Sequence, residues 1–232
     1  MRVADLNWMQ LEAYLESDDR IVLPLGSTEQ HAYLSLATDS ILAEEIAVEA
    51  AEPLGVPVLP VLAYGITPFF GAYPGSPSLR VSTYGAVLGD LLDSLAAQGF
   101  GRILLLNAHG GNAPARAIAA EWMASSGAQA LYHEWFGPET ASVIFEIDPD
   151  GAHASWWEAF ARTRLADVEL PSEAKPLVDR DRLFRLDAIA VRELIGDGSF
   201  GGRYERPAAE LERVWTAAVG EARALLEHGW KE

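Results

Sequence analysis

Cysteine is absent from the 232 residues, which excludes disulfides, thiolate nucleophiles and thiolate metal sites. Any metal must then be held by His, Asp or Glu. Cations are scarce as well: 17 Lys and Arg against 34 Asp and Glu leave a formal charge of −17, which repels phosphate backbones and anionic membrane surfaces. Neither nucleic acid nor membrane is an expected partner. No run approaches the roughly 20 apolar residues of a bilayer span, and the opening Met1-Arg-Val-Ala-Asp-Leu-Asn7 has no apolar leader core. The expected location is the cytoplasm. Internal repeats, low-complexity tracts and Pro/Ser-rich linkers are missing too, and half of the residues are hydrophobic. A single globular domain over residues 1–232 is therefore expected.

Short apolar runs alternate with longer amphipathic segments. Ile21–Leu25, Val56–Ala63, Ile103–Leu106 and Ala128–Tyr132 read as strands, and Asp39–Ala51, Tyr84–Ala97 and Ala113–Ala124 as the helices between them. Continuous apolar strands joined by helices predict an α/β fold with a mostly parallel sheet covered on both faces. Further helices are expected over Ala154–Thr163, Ala188–Leu194 and about Pro207–Glu227, with Pro207 in the first turn of the last. The stretch Gly196-Asp-Gly-Ser-Phe-Gly-Gly202 reads as a loop.

In open α/β sheets ligands sit at the carboxyl ends of the strands, and the chemistry-bearing residues collect there. The first strand runs into Gly26-Ser-Thr-Glu-Gln-His31, with Asp39 at the start of the next helix; the third runs into Asn107-Ala-His-Gly-Gly-Asn112. In an extended segment, residues two apart share a side, so Glu29 and His31 would face one point while Gln30 faces away. Glu29, His31, Asp39 and His109 thus form a candidate metal site of hard donors. No Gly-x-Gly-x-x-Gly turn follows the first strand, which argues against a dinucleotide-binding module.

These motifs resemble the creatininase (creatinine amidohydrolase) superfamily, whose signature is Gly-Ser-x-Glu-Gln-His, a following Thr-Asp, and Asn-Gly-His-Gly-Gly-Asn. Here they stand as Gly26–His31, Thr38-Asp39 and Asn107–Asn112. The resemblance implies a creatininase-like three-layer sandwich, with Glu29, His31, Asp39 and His109 as metal ligands and Asp39 bridging two ions. The family's His-Ala-Gly-x-x-Glu-Thr-Ser matches His153-Ala-Ser-Trp-Trp-Glu158-Ala-Phe only in its His-Ala and its Glu, which makes Glu158 the fifth ligand. Tyr73-Pro-Gly-Ser-Pro-Ser-Leu79 and Gly198-Ser-Phe-Gly201 extend the likeness. Departures lie in the pocket: His31-Ala-Tyr-Leu-Ser-Leu36 lacks the family's second His, and Phe69 and Phe70 stand where another is expected. A homo-oligomer, a hexamer, is also implied.

Such donors suit two divalent ions, Zn²⁺ or Mn²⁺ with Fe²⁺ also compatible, about 3.5–4 Å apart. A hydroxide bridging them would attack the C–N amide bond, cyclic or otherwise non-peptide, of a small-molecule substrate. His153 is a candidate proton donor or substrate contact. It would stand where the Ala154–Thr163 helix begins. Trp156 and Trp157 offer flat faces for a planar substrate, or else core packing. Asn112 and Asn107 would orient His109 or the substrate, or serve their own turn. Ser78, with Ser76, lies in a loop that either closes over the site or merely turns. His133 is a candidate for supporting the site or for packing, and His228 a solvated side chain. Two other readings remain: a peptidase or deformylase of the same superfamily, and a descendant that binds a small ligand without turnover.

Overall fold

The computed structural model describes residues 1–230. Among them three strands, β1 (Arg20–Leu25), β2 (Arg102–Asn107) and β3 (Gln129–Glu134), form a parallel sheet in the order β1-β2-β3. The register sets Leu25 beside Asn107 and Asn107 beside Glu134, so the carboxyl ends of the three strands finish level.

Both faces of the sheet are covered, and alternation along the strands decides which side chain goes where. Val22, Leu104 and Leu106 point into one apolar cluster with Leu42 and Ile46 of α2 (Thr38–Ala51) and Val214, Trp215 and Leu226 of a long C-terminal helix. Ile21, Leu23, Leu25, Ile103 and Leu105 point into the other, with Tyr84, Leu88 and Leu92 of α3 (Val81–Ala97) and Ala115, Ala119 and Trp122 of α4 (Pro114–Ser126). This is the expected three-layer α/β sandwich.

The remaining helices are α1 (Trp8–Leu15), α5 (Pro138–Ile147), α6 (Arg180–Leu183), α7 (Ala188–Ile195) and α8 (Ala208–His228). In α8, Leu211, Val214, Trp215, Ala218, Val219, Ala222 and Leu226 recur at three- and four-residue spacing and form its buried stripe. Pro207 caps α8 and does not enter its first turn. No helix among the described residues is long and apolar enough to cross a membrane.

Two expected elements differ. Val56–Ala63 lies along β1 but makes only isolated bridges, Val58 with Val22 and Leu62 with Leu25, because Pro57 and Pro60 lack the N–H groups a continuous ladder needs. Its outer side is met by the first residues, through Val3 N to Val58 O and Val58 N to Met1 O, each 2.8 Å. The helix expected over Ala154–Thr163 is only a 3₁₀ turn, Trp156–Glu158. Ala154 is left-handed at φ 55°, its N–H donates to Glu158 Oε2 at 2.7 Å, and Thr163 Oγ1 donates to the Glu158 carbonyl. Side chains thus take the backbone partners a helix would use.

Candidate metal and active site

Four chain segments bring the site together. Glu29 and His31 follow β1, Asp39 is the second residue of α2, His109 follows β2, and Glu158 ends the 3₁₀ turn. All five side chains are at least nine-tenths buried. Asp39 gains from its place at a helix N-terminus, where exposed N–H groups favour negative charge.

The donors fall into two trios that share Asp39. Glu29, Asp39 and His109 form one; His31, Asp39 and Glu158 the other, each with its ligand atoms within 4.8 Å of one another. His31 Nε2 lies 3.0 Å from Asp39 Oδ1, and His109 Nδ1 lies 3.0 Å from Asp39 Oδ2 and 3.4 Å from Glu29 Oε1. Despite this closeness, Glu29 Oε2, His31 Nε2 and Asp39 Oδ2 are buried without a hydrogen-bond partner. Their lone pairs converge on shared space and are not aimed at one another, an arrangement that is costly unless something positive fills it.

The far sides of the two histidines support that reading. His109 Nε2 stands 3.0 Å from the Ile66 carbonyl and His31 Nδ1 stands 3.2 Å from the Glu29 carbonyl. A carbonyl only accepts, so each ring keeps a proton on its outer nitrogen, and the inward nitrogen is the one that can give its lone pair to a cation once its own proton leaves, as metal-binding histidines do.

Charge inside the cluster is lopsided. Burial opposes a proton on His31, yet Asp39, Glu158 and Glu29 together push it up to about 10. His109 is likewise raised well above its ordinary value by Glu29 and Asp39 against burial. Asp39 is held below the carboxylate range: the two histidines outweigh its burial. Glu158 is pushed up to about 7 by burial. With no cation bound, protons take the positive role.

Asn112 ties the strand ends to one another. Its Nδ2 donates to Gly26 O at 3.0 Å and to Asn107 Oδ1 at 3.1 Å, while its Oδ1 accepts from Ile66 N at 3.2 Å. Asn107 Nδ2 donates at 2.7 Å to both His109 O and Glu134 Oε2. Asn112 is fully buried and holds backbone, so the structure gives it no face toward a substrate.

A cavity of about 400 Å³ opens over the donors. Its walls are largely aromatic, with Phe69, Phe70, Phe136, Trp157, Phe184 and Phe200, and both His153 and Arg180 reach it. Trp157 therefore faces the cavity. Trp156 does not: it is 0% exposed, in the apolar cluster that also contains Trp135 and Trp215. The turn that replaces the expected helix directs these neighbouring rings apart. Ser78 is outside the cavity lining, and its Oγ accepts from Thr67 N and donates to Leu79 O, both within its own loop. His133 is absent from this cavity and lines another of about 370 Å³ with Glu221 and His228.

Gln30 was the residue expected to face away. Residues 26–31 are not a strand, and its amide instead meets His153 at 3.0 Å. No spacing rule signals that contact, because it joins positions 123 residues apart.

Known proteins resemble the chain over this whole frame. The creatininase family, described as creatinine amidohydrolase, matches residues 4–226. A mycofactocin precursor peptide peptidase of Mycolicibacterium smegmatis is 30% identical over 217 residues, 86% of this chain and 81% of that protein. A creatinine amidohydrolase of Pseudomonas putida is 31% identical over 114 residues, 46% of this chain and 44% of that protein. Among solved structures, a mutant creatininase of Zn–Zn type superposes with a TM-score of 0.75 at 22% identity, covering 97% of each chain. With the family match spanning nearly its full length, this chain is a member of the creatininase family of hydrolases.

Proposed function

We propose that the protein is a metal-dependent amidohydrolase that cleaves a C–N amide bond, cyclic or otherwise non-peptide, in a small molecule. The observation that carries this reading is the pair of donor trios sharing Asp39 on the floor of the aromatic cavity. Glu29, Asp39 and His109 would hold one divalent ion and His31, Asp39 and Glu158 the other, Zn²⁺ or Mn²⁺ by the mixture of imidazole and carboxylate. Ions held there supply Lewis acidity and bring the pKa of water from about 15.7 toward about 7.

The chain's own residues do the rest. Phe70, Phe136 and Trp157 exclude bulk water and offer flat faces to a planar amide or ring. His153 contacts the substrate from the cavity wall. The cavity lies within the usual range for small-ligand sites, about 300–1,000 Å³. A second reading, a peptidase trimming a small modified peptide, is favoured by the identity with the mycobacterial relative.

Purified protein incubated with creatinine, other cyclic amides, formamides and short peptides separates these readings. Turnover of a non-peptide amide that stops in chelator and returns with Zn²⁺ or Mn²⁺ is expected. Peptide cleavage alone would replace the main reading with the second, and metal binding with no turnover would favour a ligand-binding descendant.

Metal affinity should depend on pH with a defined sign. Because His31 and His109 titrate above the ordinary histidine value of about 6.5, a metal arriving at pH 7 must displace protons. Affinity therefore keeps rising above pH 7, by about tenfold per pH unit for each proton displaced, and falls as the solution is acidified. Calorimetric titration of metal-free protein in two buffers of different ionisation enthalpy measures the proton release. A flat affinity between pH 7 and 9 would contradict it.

Gly111→Ala tests the support behind His109. A Cβ there would lie 1.9 Å from Ile66 O and 2.4 Å from His109 Nε2, so it breaks the bond that fixes the ring. Metal affinity is expected to drop about 10- to 100-fold, read by competition with a chromogenic chelator.

A further inference from the structure

His153 belongs geometrically to a third donor group with Glu29 and His31, again within 4.8 Å, and its Nδ1 lies 4.0 Å from Glu29 Oε1. Its surroundings nevertheless differ from those of the other two histidines. His31 and His109 back onto carbonyls; His153 backs onto the Gln30 amide, with Gln30 Nε2 3.0 Å from His153 Nε2.

The orientation of that amide is fixed from both ends. Gln30 Oε1 accepts from Ala32 N at 3.1 Å, and Gln30 Nε2 donates to Gly198 O at 3.0 Å. A backbone N–H cannot accept and a carbonyl cannot donate, so the amide cannot be turned over without losing both bonds. Its second N–H therefore points at His153 Nε2, which must offer a lone pair. The ring's one proton is left on Nδ1, on the Glu29 side. An imidazolium would set two N–H groups against each other across 3.0 Å. Phe70, stacked on the ring at 4.8 Å and 17°, and Phe200 at 4.9 Å hold its plane.

From this geometry we infer that Gln30 is a positioning residue that locks His153 as a neutral Nδ1–H hydrogen-bond donor facing the cavity. Two consequences follow. With its inward nitrogen protonated, His153 is not a metal ligand, and the third donor group holds no ion. It also stabilises negative charge on a substrate oxygen without transferring its proton, because release from a neutral ring would leave an imidazolate. Of the two roles open to His153, proton donor and substrate contact, the contact is selected. Gly198 is part of the device: it sits at φ 104°, and a Cβ there would lie 1.7 Å from Gln30 Oε1.

Only the kinetic arm of the test rests on the hydrolase reading. In protein labelled with ¹⁵N-histidine, the ring signals lost in His153→Gln should show a protonated Nδ1 and an unprotonated Nε2 at pH 7. Gln30→Glu, which presents a carboxylate to the ring, should place a proton on Nε2. It should also lower kcat about 10²-fold, the loss expected for a misdirected oxyanion donor, with KM nearly unchanged. An Nε2–H ring or an imidazolium in the unmutated protein would overturn the inference. So would ¹⁵N–¹¹³Cd coupling at His153 in cadmium-loaded protein. The Nδ1–H signature in a protein that turns over no amide would uphold the inference and overturn the hydrolase.

Discussion

Asp39→Ala is expected to abolish binding of both proposed ions and to reduce the proposed amide turnover by more than about 10³-fold, beyond the ~10²–10³ that loss of one oxyanion donor costs. The reason is that Asp39 alone is common to both trios, with one carboxylate oxygen 3.0 Å from His31 and the other 3.0 Å from His109. Without it each trio keeps two donors, too few for a stable site among water and buffer. Asp39→Asn, which keeps the volume and removes the charge, should follow the same course less completely. Elemental analysis after dialysis gives the metal content, and turnover of whichever amide the panel identifies gives the rate. Full metal content with unimpaired turnover in Asp39→Ala would remove the shared-carboxylate site from consideration.

Trp156→Ala is expected to produce the largest loss of stability, about 3–5 kcal/mol, as emptying a core site of a large ring does. Trp156 is 0% exposed in the apolar cluster of α2, α8 and the sheet. At roughly 2–4 °C per kcal/mol for a chain of this size, the melting temperature should fall by about 6–20 °C. Its neighbour should behave otherwise. Trp157 lines the cavity and is half-buried, so Trp157→Ala should raise KM more than it lowers the melting temperature. Thermal melts of both variants beside their steady-state kinetics make the comparison. Equal melting losses would mean that the two rings share one role.

The adjacent tryptophans also mark where the sequence stops being legible. Strands buried on both faces write themselves as unbroken apolar runs, so β1 and β2 could be read directly, and with them the strand-end positions of Glu29, His31 and His109; β3, polar at both ends and only partly buried, was placed to within two residues. Asp39 followed from the helix start. Glu158 was reachable only through the family likeness, because a 3₁₀ turn after a left-handed Ala154 has no periodic signature. The same irregularity hid which tryptophan faces the cavity. Helix α1 lay outside the expected elements: it only half-buries Leu11, Tyr14 and Leu15 against the core, and that stripe is short. Gln30 was invisible for a different reason: its meaning comes from two backbone bonds and an imidazole, all supplied by folding.

The segment bearing Pro57 and Pro60 has a consequence beyond the site. An open sheet flank normally offers a row of free amides on which a neighbouring molecule can assemble another strand, a common start of aggregation. Here the outward-facing N–H and C=O of Val58 are already taken by Met1 and Val3. The opening residues thus occupy the place where another molecule's strand would add on the β1 side.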